Sequence, residues 1–201
     1  MRSHRILALG LVAAVTAVTA VSCGDGEVDR ELVGYRPSAA QQVDSVMVPD
    51  VSHPDEEFAF RAEPGHVLIV YFGYTSCPDV CPTSLSIVKS TVRDLGDDGD
   101  RIDLAMVTVD PDRDTAEIMS GYLGSFLDRA HALRTEDPEQ LRAAAEVFGV
   151  SYRVETQPDG TVDVSHSGAM YAVDDTGKVL VTWPFGVTKD DVQSDLEFLL
   201  A

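Results

Sequence analysis

The apolar positions of this chain alternate between compact runs and helical stripes. Val67-Leu68-Ile69-Val70-Tyr71-Phe72 is an unbroken apolar run of β-branched and aromatic residues, which predicts a strand covered on both faces. Gly73-Tyr74-Thr75-Ser76 turns the chain, and a helix is expected from near Val80 to Leu95, ended by Gly96 and the acidic loop Asp97 to Asp100. Ile102 to Val109 gives a second buried strand, stopped by Asp110-Pro111. Thr115 to Leu127 carries Ile118, Met119, Tyr122, Leu123 and Phe126 at helical spacing on one side. A third helix is expected over about 138–148, with Asp137 as N-cap, Pro138 at its first position and Gly149 as its stop. Short strands follow at about 151–154, 169–173 and 179–182, the last two joined by the turn Asp175-Thr176-Gly177. An amphipathic helix from Lys189 to Leu200 closes the chain. Strands alternating with helices, then a hairpin and a helix, predict an α/β fold: a thioredoxin-like three-layer sandwich with a mixed β-sheet.

The amino-terminal part has a different texture. Between Val46 and Phe60 the apolar residues are scattered among Pro49, Pro54 and several acids, a weak strand signal. Residues 24–42 are polar and lack regular apolar spacing, so 23–42 reads as a tether and 43–201 as the domain. Before it, Arg2, His4 and Arg5 precede an apolar stretch from Ile6 to Val21, which ends at Ser22-Cys23-Gly24. That order describes a secretory signal over residues 1–22. Ala20-Val21-Ser22-Cys23 resembles a bacterial lipobox, with Cys23 as the lipidated residue; a retained amino-terminal helix is the alternative. Either anchor places the domain in the cell envelope, at the extracytoplasmic face of the plasma membrane.

Composition narrows the function. Of 201 residues, 44% are hydrophobic and 24% charged, ordinary for a globular chain. The formal net charge of −19 repels phosphates and excludes nucleic acid as a partner. With Cys23 assigned to lipid, Cys77 and Cys81 remain, and a disulfide closing so short a loop would add little stability.

Cys77-Pro78-Asp79-Val80-Cys81-Pro82 lies directly after a buried strand and at the start of a helix. Free N–H groups and the helix dipole favour a thiolate there. Residues four apart share a helix face, so the two sulfurs can join as a redox disulfide or grip one soft metal ion, Cu(I) before zinc. A third ligand must come from elsewhere. His53, His66, His131 and His166 are the histidines outside the leader. His166 stands in the polar loop Ser165-His166-Ser167-Gly168 before an inner strand, where a thioredoxin-like sheet brings the chain beside the Cys-bearing helix end.

Tyr71 to Thr83, a stretch that includes Cys77-Pro78-Asp79-Val80-Cys81-Pro82, resembles the signature of the Sco (SenC) copper-binding proteins, which serve cytochrome c oxidase assembly. The resemblance continues in Val109-Asp110-Pro111-Asp112-Arg113-Asp114-Thr115, in Phe148-Gly149-Val150, and in Ser165-His166-Ser167 before Met170-Tyr171. It implies copper, as Cu(I) and also Cu(II), on Cys77, Cys81 and His166. It also implies a partner, the oxidase subunit that holds the dinuclear copper centre, and a monomeric metallochaperone instead of an enzyme. Two positions depart from the family pattern: Ser76, where His is common, and Ser165, where Asp is common. Ser165 removes an acceptor that would orient the imidazole.

Asp110 and Tyr74 are candidates for a supporting shell around the site. Asp114, with Glu117 three residues on, reads as a helix cap. Trp183 and Phe185 are candidates for a docking surface. The competing function is a thiol–disulfide reductase that keeps the acceptor's cysteines reduced. Against a general oxidoreductase stand the three-residue spacing of the cysteines and the lack of a proline in the Ser165-His166 loop. A peroxidase and a structural disulfide account for fewer of these residues.

Overall fold

The computed structural model describes residues 31–53 and 56–201, and Glu31–Ala201 form one compact unit. The signal, the lipobox-like Cys23 and the first part of the tether lie outside the described residues. No helix among the described residues is long and apolar enough to cross a membrane.

β1 (Met47–Asp50) and β2 (Glu56–Ala59) form an antiparallel hairpin in the stretch with the weak strand signal. β3 (Val67–Gly73) and β4 (Ile102–Thr108) run parallel at the centre, and β5 (Ala130–Leu133) continues parallel to β4. β6 (Tyr152–Thr156) and β7 (Val162–His166) make a separate two-stranded ribbon. β8 (Met170–Val173) pairs antiparallel with β3, and β9 (Val179–Trp183) with β8. The main sheet has the order β2-β1-β5-β4-β3-β8-β9 and is mixed, as expected.

Every residue of β3 is buried, because its side chains alternate between two cores. Val67, Ile69 and Tyr71 face α1 (Val80–Asp94), α2 (Ala116–Gly124) and α4 (Lys189–Leu200). Leu68, Val70 and Phe72 face α3 (Pro138–Phe148), which supplies Leu141, Ala144, Ala145 and Phe148. Helices on both faces of one sheet give the three layers. The boundaries of α3 follow the sequence signals: Asp137 accepts from Glu139 N–H, and Gly149 takes the left-handed conformation at φ 69°.

Four features differ from the sequence reading. β5 and β7 were not expected; each is short and carries polar residues that break the apolar run. α2 buries Met119 and Leu123 but leaves Ile118 47% exposed, since the helix is shorter and turned so that Ile118 faces solvent. Trp183 is fully buried and donates from Nε1 to Asp195 at 2.8 Å, so of the aromatic pair expected at a docking surface only Phe185 is exposed. Residues 31–42, assigned to the tether, are held on the domain instead. Val33 and Gly34 donate their N–H groups to buried Asp195 at 2.7 and 2.8 Å, and Tyr35 and Thr182 exchange backbone hydrogen bonds at 2.8 Å. This segment covers the outer edge of β9, leaving fewer unpaired backbone groups there.

Candidate metal centre

Three elements deliver the candidate donors. Cys77 sits in the loop after β3, Cys81 in the first turn of α1, and His166 is the last residue of β7. His166 pairs with Tyr152 across the ribbon, and Ser167 N–H donates to the Ser151 carbonyl at 2.9 Å. The ribbon therefore carries the imidazole over the end of α1. One donor atom from each of Cys77, Cys81 and His166 lies within 4.8 Å of the others, and Cys81 Sγ is 3.5 Å from His166 Nε2. His66 pairs with Asp103, and His53 and His131 meet at Asp50, so neither the Cys pair nor His166 has another histidine among these contacts.

The two thiols are free and unlike each other. Burial opposes the charged form of Cys77. The N–H groups of Cys81 and Asp79 and the side chains of Cys81 and Tyr74 hydrogen-bond to its sulfur and outweigh that cost, so its pKa is lowered. The Cys81 N–H contact to Cys77 Sγ is 3.3 Å. Cys81 has no exposed surface, and burial pushes its thiol up to about 12. Tyr74 is also pushed up to about 12, first by burial and then by the charge of Cys77, to which its hydroxyl stays bonded as a neutral donor.

His166 has an anchor after all. Nδ1 faces the Ser167 carbonyl oxygen at 3.0 Å; a carbonyl only accepts, so Nδ1 carries the proton and Nε2 keeps its lone pair toward Cys81. The backbone replaces the side-chain acceptor that Ser165 does not provide. Tyr71 and Tyr74 flank the imidazole edge-to-face, with ring centroids at 6.0 and 5.8 Å.

The supporting residues divide differently from expectation. Asp110 is buried and accepts from Arg113 Nε, whose guanidinium lies 6.0 Å from the centre of the Tyr74 ring. Its path to the donors thus runs through Arg113 and Tyr74. Asp114 is not the cap of α2; Thr115 is, accepting from Ile118 N–H. Fully buried Asp114 accepts from Thr75 N–H at 3.0 Å, from the Thr75 hydroxyl, and from the Thr108 hydroxyl at 2.6 Å. It ties the Cys loop to the end of β4. Sequence spacing could not separate this role from capping, because both use an acid just before a helix.

Gly73 was read only as part of a turn. A Cβ at this position would stand 3.0 Å from Cys81 Sγ and 2.7 Å from a Tyr71 ring carbon. Its lack of a side chain lets the Cys81 sulfur pack against the end of β3.

Two sulfurs and one imidazole nitrogen, converging at a helix amino end, make a donor set suited to a soft ion in three-coordinate geometry. The fold and the site together define a thioredoxin-like protein with a thiol–imidazole donor set that can hold a metal ion. The comparisons give its family: the SCO1/SenC family model matches residues 51–201, and the chain belongs to that family. A SCO2-like protein of Rickettsia prowazekii is 36% identical over 118 residues, covering 58% of this chain and 57% of that relative's length. The solution structure of apo Sco1 from Thermus thermophilus superposes with a TM-score of 0.72 at 28% identity, over 86% of this chain and 99% of that one. The structure of Bradyrhizobium japonicum ScoI with copper bound gives 0.65 at 28% identity, over 76% of this chain and 96% of that one.

Proposed function

We propose that this chain is an extracytoplasmic copper chaperone that carries copper on Cys77, Cys81 and His166. The observation that carries this reading is the approach of the three donor atoms to within 4.8 Å of one another. The similar ScoI of Bradyrhizobium japonicum, with copper bound, supports the choice of metal. Two thiolates favour Cu(I) as the cargo, with Cu(II) as a second state. A three-coordinate ion beside partly exposed Cys77 is open to an incoming ligand, so transfer proceeds by exchange, with buried Cys81 released after Cys77. The acceptor is the subunit of cytochrome c oxidase that holds the dinuclear copper centre, and the chaperone works as a monomer. The membrane anchor at Cys23 and the location outside the cytoplasm rest on the leader sequence.

The test uses residues 31–201, reduced and titrated with Cu(I) against a competing chelator. One tight site is expected, strongly weakened by Cys77→Ser or Cys81→Ser and clearly weakened by His166→Ala. Tight binding that ignores His166→Ala overturns the three-donor site.

A second reading, a thiol–disulfide reductase for the acceptor's cysteines, draws on the difference between the two thiols. Cys77 is partly exposed with a lowered pKa, as an attacking thiolate requires. Its sulfur would attack the acceptor disulfide, release one acceptor thiolate and form a mixed disulfide. Cys81 would then displace the second acceptor thiolate, leaving this chain oxidised and the acceptor reduced. Rapid reduction of an acceptor disulfide by a chain that does not retain Cu(I) would decide for this reading.

A further inference from the structure

On the other side of the sheet, two histidines converge on one buried acid. His53 Nδ1 lies 2.8 Å from Asp50 Oδ2, and His131 Nδ1 lies 2.7 Å from the same oxygen. Alternation along β5 places this cluster away from Cys81: Ala130 and Ala132 face the core that contains Cys81, so His131 and Leu133 face the opposite core. We infer that Asp50, His53 and His131 form a second metal site, open to solvent, for a divalent ion of the Zn(II) or Cu(II) class.

Each part of the cluster is built as a ligand set is built. Only one oxygen of Asp50 faces the imidazoles. The other, Oδ1, accepts from Ser52 N–H at 2.9 Å and from the Ser52 hydroxyl at 2.5 Å, which fixes the carboxylate plane. Ser52 Oγ in turn accepts from Ala132 N–H at 3.1 Å, tying the acid-bearing loop to β5. Although burial opposes its charge, hydrogen bonds from His131, Ser52 and His53 hold Asp50 well below the usual carboxylate range, so the ligand is anionic. His131 packs against Phe58 with ring centroids 4.5 Å apart, which sets its orientation, while the His53 side chain is 52% exposed and free to adjust.

One donor atom from each of the three residues lies within 4.8 Å of the others. Bonds of about 2.0–2.2 Å to nitrogen and oxygen require these atoms to move apart slightly to admit an ion, and exposed His53 can supply that movement. Both Nδ1 atoms face Asp50, so an ion bound through Nδ1 requires the proton there to leave that atom, and Nε2 is the alternative position on the ring. Two imidazoles and a carboxylate leave a coordination position for water. The net charge of −19 raises the local concentration of cations around such a site. Nitrogen and carboxylate donors select borderline divalent ions, in contrast to the thiolates of the first centre.

The test uses the full chain carrying Cys77→Ser and Cys81→Ser, which removes the thiol centre, so this inference stands or falls independently of the copper reading. Calorimetric titration with Zn(II) is expected to give one ion per chain. His53→Ala, at an exposed position that leaves the fold intact, is expected to weaken that binding by about tenfold or more, and His166→Ala to leave it unchanged. In NMR spectra of the imidazoles, Zn(II) should shift the Nδ1 resonances of His53 and His131 together. Failure of Zn(II) to saturate a site in the micromolar range, binding indifferent to His53→Ala, or unmoved Nδ1 resonances would each overturn the assignment and leave a hydrogen-bond network that pins β1 to β5.

Discussion

The backbone N–H of Cys81 points at the sulfur of Cys77, 3.3 Å away, so the first turn of α1 lowers the pKa of one cysteine while burying the other. Sequence proximity made the two residues look equivalent. Their environments make them chemically distinct.

That difference predicts selective modification. In the reduced protein at pH 7, iodoacetamide is expected to label Cys77 and spare Cys81, read by mass spectrometry of the peptides. The labelling rate of Cys77 should rise with pH along a curve whose midpoint lies below the ordinary thiol value, because its pKa is lowered. Cys81, with its folded pKa raised to about 12, favours the neutral thiol. Its contribution to stability is complete below the unfolded thiol value and declines as pH rises toward the folded one. Equal labelling of both cysteines at pH 7 contradicts the assignment.

Asp114 holds the Cys loop through Thr75 and Thr108. Asp114→Ala strands buried donors and is expected to cost roughly 3 kcal/mol of stability, with weaker Cu(I) binding as the loop loosens. A helix cap alone would cost about 1 kcal/mol and leave metal affinity untouched. Thermal unfolding and Cu(I) competition on the same variant distinguish the two.

Gly73→Ala places a methyl group 3.0 Å from the Cys81 sulfur. Overpacking of this kind costs about 1–3 kcal/mol. The sharper expectation concerns the metal: Cu(I) affinity should fall in Gly73→Ala and stay unchanged in Gly124→Ala, where a Cβ meets nothing within 4 Å. An unchanged Cu(I) affinity in Gly73→Ala would show that the sulfur has room to move.

Asp195 accepts from Val33 N–H, Gly34 N–H and Trp183 Nε1. Asp195→Ala takes the acceptor away from all three donors at a site only 2% exposed and is expected to cost about 3 kcal/mol. It should also release residues 31–42, making that segment the first point of cleavage under limited proteolysis. Cleavage at the same rate in the parent protein contradicts the docking of this segment.

Much of this fold was legible because its signals are local. The β3 run, the Asp137-Pro138 start and Gly149 stop of α3, and the cysteines at a strand-to-helix junction each need only neighbouring residues to be read. Of the elements that escaped, β5 (Ala130–Leu133) takes its stability from β4 across the intervening α2, whereas β7 (Val162–His166) pairs with neighbouring β6 in a hairpin and was hidden by its own polar residues. Asp114 was assigned to a cap because its true partner, Thr75, is 39 residues away. His53 and His131 were weighed as ligands for the cysteines, and folding brought them to Asp50 instead.

By itself, the sequence determined the alternating α/β order, the paired cysteines at a helix start, and the choice of His166 through motif order and the expected sheet. Only the tertiary structure decided the environment of each donor. It buried Cys81 and left Cys77 partly exposed, turned Nδ1 of His166 onto the Ser167 carbonyl, and folded residues 31–42 onto Asp195. The physical reason is one of range. Hydrophobic periodicity and capping act over a few residues, whereas burial, pKa and ligand orientation depend on groups brought together from distant parts of the chain.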